Sequence, residues 1–587
     1  MDGRLRRWAV AALLAACSSP APGTPAPAGP LAAAESLYLD LRDLRDRIDV
    51  AASAGRTAAS DGTPLAALAR RHDQLRRALL SRLAAMDSSA LAAEDARAFG
   101  TMRAVLSRDL HALANSPSPG TSPTPSPPDC EYDPVAIAAR KNGLDSLRRR
   151  LYACYGWAQH HVAVGPDTMD RLSVLGALAR TEDPAERRRL FYSLEPVWRS
   201  VNGDNGPASP YRRLIALEAK RRPGELPGAR QARLSGVPPD SLERWLLTII
   251  QSWRDANPDS VIEPWDWYYQ NGLAGRALGG RISRERLTEI TAEVYGALGA
   301  DIGALNVRYD LEPRPGKTPV AFCTFGARPR LSNGRWTPGE PSVFATYHVG
   351  GLDNLAELLH ETGHAIHIAA IRTRPAFADW PDSDPFTEAV ADFVALDVAE
   401  PVWQRRWLGD SVPLADGLRA RYGGIVLDVA WSLLELDMLR NPTADPNEVW
   451  ARLTSEYLRI RPHPELSWWA MRGQLVDSPG YMMNYAVGAM LIAALRARTV
   501  EVHGRFVTGD STWYGWVSPR LFRFGLEQPT TAVIEEFLGG PVTPVALLTD
   551  MRRMRNPGAG LGPAPDERKT GVSYPSAVRL QPSFTAR

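Results

Sequence analysis

The sequence predicts a mainly α-helical protein with a small β-sheet, and two observations lead to this fold class. Apolar residues recur at helical spacing along most of the chain, as in Leu41, Leu44 and Ile48. Only two segments, 319–325 and 343–349, are rich in residues that favour strands. Both segments precede a long amphipathic helix, so we expect the sheet to lie beside that helix.

The composition excludes several classes of protein. The 587 residues are 44% hydrophobic and include 17 Trp, 17 Tyr and 13 Phe, which is too much apolar area for a chain that is disordered throughout. Sixty-eight Lys and Arg residues against 66 Asp and Glu leave a formal charge of +2. We therefore expect no nucleic-acid partner, because electrostatic binding to nucleic acid needs a larger basic surplus.

The N-terminus predicts the compartment. Three arginines precede a short apolar run, which is typical of a signal peptide over residues 1–16. Cys17 follows two alanines, as in a bacterial lipobox, and residues 17–30 suit the flexible tether of a lipid-anchored protein. We expect a membrane lipid anchor on Cys17, with the rest of the chain in the periplasm or outside the cell. The alternative is an ordinary cleaved signal with an incidental cysteine.

An oxidising envelope compartment also bears on the remaining cysteines. A disulfide between Cys130 and Cys154 is plausible there, and Cys323 would then be a free thiol.

The periodicity divides the rest of the chain into four parts. Residues 31–115 predict a helical hairpin or three-helix unit, and residues 116–132 are a linker rich in Pro and Ser. Residues 133–555 form the main domain, and residues 556–587 form a loose tail. Within the main domain, helical patterns cover residues 144–161, 168–179, 184–200, 210–221, 239–257 and 283–298.

The long helix at 352–371 contains His360-Glu361-Thr362-Gly363-His364. The i, i+4 spacing places both imidazoles on one helical face, which suits two nitrogens that converge on a tetrahedral Zn²⁺. Glu361 lies next to them and could act as the general base for a water molecule. This motif predicts a catalytic zinc site.

A catalytic zinc site needs a third protein ligand. A third histidine six residues after His364 is excluded, because Ala370 stands there, and His367 lies on the same straight helix and would converge poorly. A carboxylate from the following helix remains, and Glu388 is the best candidate. Asp392 lies one turn further on and could hydrogen-bond to a ligating histidine.

These residues resemble a known group of peptidases. HETGH, followed 28 positions after its first histidine by the glutamate of FTEAVADFVALDV, looks like the angiotensin-converting-enzyme family of gluzincins. The segments GKTPVAFCTFGARP and EEFLGGPVTPVALLTDM resemble the related thimet oligopeptidase and oligoendopeptidase F group. The resemblance covers roughly residues 168–554 and implies an elongated, two-lobed helical body with a deep central channel.

The resemblance also implies roles for individual residues. His360, His364 and Glu388 match the metal ligands, Glu361 the general base and Asp392 the acid behind the ligands. GYMMNYAVGAMLIAAL resembles the helix that carries the oxyanion-binding tyrosine, for which Tyr485 is the best match and Tyr481 the alternative. Phe322, Cys323, Thr324 and Phe325 match the edge strand that pairs with the substrate backbone.

Three features depart from the pattern of these families. The oxyanion-side histidine before the tyrosine helix has no match, since residues 472–477 are Arg-Gly-Gln-Leu-Val-Asp, and His463 and His348 are possible substitutes. Asn484 stands where the converting-enzyme pattern has an arginine. No matched set for a substrate C-terminal carboxylate is evident, although Arg472 could supply one partner.

The sequence therefore predicts a zinc metallopeptidase that cleaves short oligopeptides in the cell envelope. We favour internal cleavage over the release of C-terminal dipeptides, which stays as an alternative. A peptide-binding lipoprotein without activity is a second alternative, and a metal-dependent amidase acting on peptidoglycan stems is a third.

Overall fold

The structure is a computed structural model that describes residues 30–115, 127–221, 228–257, 261–314, 317, 320–332 and 335–556. The predicted signal peptide, the anchor Cys17, most of the linker and the tail lie outside the described residues. The structure is 64% helix and 6% strand, which confirms the mainly α fold class.

Helices α1 to α24 make up most of the described chain. They span, in chain order, Pro30–Ser53, Leu65–Ala84, Ala93–Asn115, Pro134–Ala138, Gly143–His160, Arg171–Arg180, Pro184–Ser193, Glu195–Asn202, Pro210–Arg221, Ala229–Leu234, Pro239–Ala256, Trp267–Asn271, Leu273–Leu278, Arg286–Ala297, Leu352–Ala370, Asp384–Ala395, Pro401–Leu408, Leu414–Arg440, Pro446–Leu458, Gln474–Asp477, Met483–Val502, Trp513–Val517, Thr530–Leu538 and Val545–Arg552. Short 3-10 or π turns cover Ser88–Ala90, Pro264–Asp266, Gly279–Arg281, Pro375–Phe377, Leu396–Ala399 and Ser518–Phe522.

Among the described residues, seven short strands form three small sheets. Strands β1 to β7 span Val162–Val164, Asp167–Met169, Arg308–Asp310, Phe322–Ala327, Arg330–Ser332, Arg335–Thr337 and Glu340–Phe344. The order of the three-stranded sheet is β3-β7-β4, with β3 parallel and β4 antiparallel to β7, and Cys323 faces Val343 in the register. Both β4 and β7 pack against α15, so the sheet lies beside the predicted helix.

Several predicted boundaries were wrong. Residues 167–169 belong to the β1–β2 hairpin rather than to a helix. Helix α6 begins at Arg171, and the side chain of Asp170 caps it by accepting a hydrogen bond from the backbone N–H of Ser173. The helix predicted over 184–200 is interrupted at Leu194. The second predicted strand begins earlier, at Glu340, and ends at Phe344, because pairing with β3 and β4 fixes its length. The hairpins β1–β2 and β5–β6 were not expected.

The N-terminal residues form three helices, the second of the two predicted alternatives, with a hydrophobic core of their own. Apolar side chains of α1, α2 and α3 pack together and take in Ala376 and Phe377 from the main body. The rest of the contact is polar. Arg328 of the body is 2% exposed and pairs with Asp43 and Asp46 of α1, and Arg374 pairs with Glu35 of α1 at 2.9 Å.

The remaining helices share one large core that runs from α4 to the end of α24. Six tryptophans are among the largest fully buried side chains. Within this core α16 packs between α15 and α21, and α21 also packs against α18. Cys130 and Cys154 form the expected disulfide, and Cys323 is a free thiol. None of the helices in the described part of the chain combines the length and apolarity that a membrane crossing requires.

Candidate metal centre

The first part of the site is the amphipathic helix α15. Its apolar face is buried in the core, while His360 and His364 lie one turn apart on a neighbouring face. The two imidazole rings are 4.8 Å apart and nearly perpendicular, at 88°. The helix therefore presents two ring nitrogens toward the same region.

A glycine brings the second helix of the site into position. A Cβ atom at Gly363 would lie 2.2 Å from the backbone oxygen of Ala391, so α15 and α16 are in backbone contact at this point. On the other side of α16, a Cβ atom at Gly488 of α21 would lie 3.3 Å from the oxygen of Pro385 and 4.0 Å from Cβ of Glu388. Glycines on α15 and α21 thus let α16 lie close to both helices.

This packing brings the three predicted ligands together. Donor atoms of His360, His364 and Glu388 all lie within 4.8 Å of one another. Nε2 of His360 is 3.4 Å from Oε2 of Glu388, and Nε2 of His364 is 4.0 Å from Oε1 of the same carboxylate. Two imidazole nitrogens and one carboxylate oxygen fit the ligand set of a catalytic Zn²⁺, which leaves a fourth position open.

Asp392 orients the first of the two histidines. Nδ1 of His360 donates to Oδ1 of Asp392 at 2.7 Å, which leaves Nε2 directed toward Glu388. Burial lowers the pKa of His360, but the charge and hydrogen bond of Asp392 and the hydrogen bond to Glu388 outweigh it and raise the pKa above its usual range. Asp392 therefore makes His360 a more basic donor, as carboxylates behind metal-binding histidines do.

The other two ligands carry the charge states that metal binding needs. Burial, assisted by the charge of His360, lowers the pKa of His364 to about 4, so this imidazole is neutral at pH 7. Burial raises the pKa of Glu388, but the hydrogen bond from His360 and the charges of both histidines prevail and lower it to about 2. A neutral imidazole and an ionised carboxylate are the forms that ligate metal.

Glu361 lies beside the ligands in the form expected of a general base. The residue is 7% exposed, and its Oε2 atom has no hydrogen-bond partner among the described residues. Burial raises the pKa of Glu361 to about 7, with the charges of Glu357 and Glu388 acting in the same direction. A carboxylate with a pKa near neutrality can both accept and return a proton at pH 7.

The structure also separates the predicted ligands from the rejected candidates. Glu400, the other glutamate close in sequence, forms a buried two-point ion pair with Arg553 at 2.8 and 2.9 Å. His367 is fully buried, and its ring packs against Trp380, Phe386 and Phe522. Burial lowers the pKa of His367 to about 3, so it is a neutral core residue outside the metal group.

The candidate oxyanion tyrosines lie on the α21 side of the site. The rings of Tyr481 and Tyr485 are 5.7 Å apart, and the charge of Glu388 acts on both hydroxyl groups. Burial raises the pKa of Tyr485 to about 12, so this phenol keeps its proton at neutral pH. A protonated phenol is a suitable hydrogen-bond donor.

Sequence reasoning missed Gln474 and did not place Arg472, named there only as a partner for a substrate carboxylate, beside Tyr485. Nε2 of Gln474 donates to Oη of Tyr485 at 3.0 Å, and the guanidinium of Arg472 lies 5.1 Å from the centre of the Tyr485 ring. Arg472 in turn pairs with Asp428 at 2.9 Å, so it is not free to bind a substrate carboxylate alone. Gln474 and Arg472 stand in the segment where the families have their histidine, and the lack of that histidine was the available signal.

The two substitute histidines differ in their surroundings. Both ring nitrogens of His463 are engaged, with Glu465 at 2.6 Å and Glu263 at 2.9 Å. His348 is exposed in the loop that leads into α15. The described contacts do not bring either of them to Tyr485.

The predicted substrate strand is β4. It pairs with β7 on one side only, which makes it an edge of its sheet among the described residues, and α1 packs against it. Phe322 stacks on Phe344, and Phe325 is fully buried against Trp380. The charge of Glu361 acts on the Cys323 thiol, which places this strand near the metal ligands.

Comparison with known proteins gives the fold but no family. No protein-family signature and no curated protein matches the chain. An M32 carboxypeptidase from Deinococcus radiodurans R1 superposes with a TM-score of 0.52 at 15% identity, over 89% of this chain and 98% of that one. The two chains share a fold. The protein described as "The Structure of CHT" matches with a TM-score of 0.52 at 14% identity, over 89% of this chain and 99% of that one.

Proposed function

We propose that this protein is a zinc-dependent metallopeptidase that hydrolyses short oligopeptides. The observation that carries the proposal is the convergence of His360, His364 and Glu388 beside a buried carboxylate, Glu361, whose Oε2 atom has no partner. The fold shared with an M32 carboxypeptidase supports the same reaction class. A binding protein would not need a general base next to an open metal position.

Each residue of the site has a distinct role in the proposed reaction. Bound zinc would polarise the scissile carbonyl and increase the acidity of a water molecule. Glu361 accepts the proton of the attacking water and passes it to the leaving amine, which its pKa near neutrality permits. Tyr485 donates a hydrogen bond to the developing oxyanion. Its oxygen accepts a hydrogen bond from Gln474, which leaves the O–H free to donate.

The test combines metal analysis with peptide cleavage. The purified protein is expected to hold about one equivalent of zinc, to cleave a set of oligopeptides and to lose activity with a chelator. Intact globular proteins should be spared. Peptide binding without cleavage in a zinc-loaded protein would instead favour the non-catalytic alternative.

The proposal has two forms, which differ in the position of the peptide bond that is cleaved. We favour internal cleavage, because Arg472 is already paired with Asp428 and no other free carboxylate partner is evident near Tyr485 in the described part of the chain. The fold shared with a carboxypeptidase favours the second candidate, removal of residues from the C-terminus. A peptide and its C-terminally amidated twin separate them, since a large drop in kcat/KM on amidation would support the carboxypeptidase.

The place of action is part of the proposal. The signal peptide and lipobox suggest that Cys17 anchors the enzyme to a membrane of the bacterial envelope. The disulfide between Cys130 and Cys154 is consistent with an oxidising compartment. Metabolic labelling with a fatty-acid analogue should modify the wild-type protein and not Cys17→Ser.

A further inference from the structure

Two acidic residues continue the metal-binding face of α15 toward its N-terminus. Asp353 and Glu357 stand seven and three residues before His360, so they share a helical face with His360, Glu361 and His364. At 1.5 Å per residue, Glu357 lies about 4.5 Å and Asp353 about 10 Å from His360 along the helix axis. Extended peptides advance by roughly 3.3 Å per residue, so this distance corresponds to one to three substrate positions.

Both carboxyl groups face water inside a concave part of the molecule. Asp353 and Glu357 are exposed to solvent, yet enclosure by the surrounding protein is the main cause that raises the pKa of each. A side chain that touches water while protein surrounds it lines a cleft rather than an outer surface. The cleft therefore begins at the metal ligands and extends along α15.

A buried hydroxyl group is directed at the nearer carboxyl group. Tyr347 is 3% exposed, and its hydroxyl lies beside Glu357 but has no hydrogen-bond partner of good geometry among the described residues. Buried hydroxyl groups without partners are uncommon, because each one costs free energy. Here the carboxylate and the hydroxyl together offer unused hydrogen-bonding capacity to a molecule in the cleft.

No lysine or arginine of the described chain compensates the charge of Glu357. The charged groups that interact with it are His360, which favours its ionised form, and the acids Asp353 and Glu361. Arg180 acts on Asp353, one turn further from the metal ligands. The two charges of a bound Zn²⁺ would be balanced by Glu388 and Asp392, so Glu357 remains as an additional negative charge in the cleft.

We infer that Glu357, together with Tyr347, forms a subsite for a cationic group of the peptide substrate. The inference rests on the proposed peptidase function and assigns it a substrate preference. The cation is an ammonium or guanidinium group, which pairs with a carboxylate and donates hydrogen bonds to it. Its source is either a Lys or Arg side chain or the free α-amino terminus, and the experiment separates these two sources.

The experiment compares matched short peptides by chromatography of their products. Arg is moved through each position around the scissile bond and compared at every position with citrulline, its neutral isostere. Each peptide is also tested with a free and an acetylated N-terminus. For the wild type, we expect kcat/KM to fall about tenfold when the cation is removed at one position, and the effect to shrink as salt increases.

The variants connect this preference to Glu357. Glu357→Gln should reduce the tenfold ratio to near one and keep its zinc, since the side chain is open to solvent. Glu357→Lys should reverse the preference toward acidic residues. Glu536→Gln, an exposed acid on α23, is the matched control and should keep the wild-type ratio. An effect of acetylation alone assigns the subsite to the N-terminus, and an effect of Arg alone assigns it to a side chain.

Two negative outcomes are distinct. If the wild type shows no preference for a cation at any position, or if Glu357→Gln retains the full preference, the subsite is wrong while the peptidase stands. If neither charged nor neutral peptides are cleaved by the zinc-loaded enzyme, the proposed function fails, and the subsite fails with it.

Discussion

Glu361 shows how burial, supported by neighbouring acids, can prepare a residue for proton transfer. A solvated glutamate has a pKa near 4.3 and is a weak base at neutral pH. Burial raises the pKa of Glu361 to about 7, with the charges of Glu357 and Glu388 acting in the same direction. The same enclosure leaves one carboxylate oxygen without a protein partner, so the group is available for a water molecule.

The first prediction concerns Glu361 and pH. Glu361→Gln should lower kcat at least about 100-fold, because the amide cannot accept a proton, while zinc binding is retained. In the wild type, kcat/KM should fall as the pH drops through the pKa of Glu361, at or below about 7, since the base must be deprotonated. Turnover by Glu361→Gln at the wild-type rate would contradict the mechanism.

A second prediction concerns the partner of the Tyr485 phenol, the proposed oxyanion donor. Tyr485→Phe should lower kcat by about 100-fold or more with little change in KM, as expected for a donor that acts in the transition state. Gln474→Leu should lower kcat about tenfold, because the phenol loses the hydrogen bond that orients it. The double variant should resemble Tyr485→Phe, since Gln474 acts through Tyr485. Effects that simply add would show that Gln474 acts independently.

At the scale of elements, the site depends on the distance between two helices. The first two candidate ligands belong to α15 and the third to α16, and these helices touch at Gly363 and Ala391. Any larger residue at position 363 pushes the backbones apart. The spacing of the donor atoms therefore depends on Gly363, which is not itself a candidate ligand.

The third prediction uses this contact. Gly363→Ala places a Cβ atom 2.2 Å from the Ala391 oxygen, so α16 must move, and we expect a loss of about 1–3 kcal/mol in stability together with weaker zinc binding. Gly424→Ala on α18 is the control, because a Cβ atom there meets nothing within 4 Å and helix propensity should increase stability by about 1 kcal/mol. Zinc titration and thermal unfolding of both variants provide the measurements. Unchanged zinc affinity in Gly363→Ala would contradict the packing argument.

At the scale of the whole molecule, ion pairs attach the three N-terminal helices to the main body. Arg328 is nearly inaccessible and holds three acids, Asp43, Asp46 and Asp379, of which two come from α1. Removing one partner of a buried cluster leaves uncompensated charge, which costs more than the pair itself contributes. The attachment therefore depends on Arg328 rather than on apolar contact alone.

The fourth prediction follows from this cluster. Arg328→Met should reduce the free energy of unfolding by about 3–5 kcal/mol and make the N-terminal helices sensitive to proteolysis, because the buried Asp46 loses the guanidinium bonded to it, while Asp43 and Asp379 each keep one pair, with Arg330 and Arg42. Asp46→Asn should cost much less, since two acids remain paired. Chemical unfolding and limited proteolysis measure both effects. Equal losses in the two variants would contradict the central role of Arg328.

The same cluster gives stability a pH dependence. Burial outweighs the charge of Arg328 and raises the pKa of Asp46 to about 6, above the value of about 4 in an unfolded chain. The folded protein therefore binds more protons between these values, and this contribution to stability is lost as the pH rises through about 6. The difference in unfolding free energy between wild type and Asp46→Asn should change over this interval and level off above it.

What the sequence determined by itself is local in the chain. The helix at 352–370, its two histidines and the glutamate beside them follow from spacing within one helix, because side-chain positions there repeat with the backbone. Glu388 could be selected because only two glutamates, Glu388 and Glu400, lie between His364 and Trp403, and Asp392 because it lies four residues further on the same helical face. The mainly α fold class followed from the same periodicity.

Only the tertiary structure decided which distant residues meet. The hydrogen bond from Gln474 to Tyr485, the contact of Gly363 with Ala391 and the Arg328 cluster join segments whose proximity depends on how the helices pack. The short strands and the break at Leu194 escaped prediction because pairing partners and neighbouring helices fix their ends. Intrinsic propensity determines the type of a long element, whereas packing determines its limits and its neighbours.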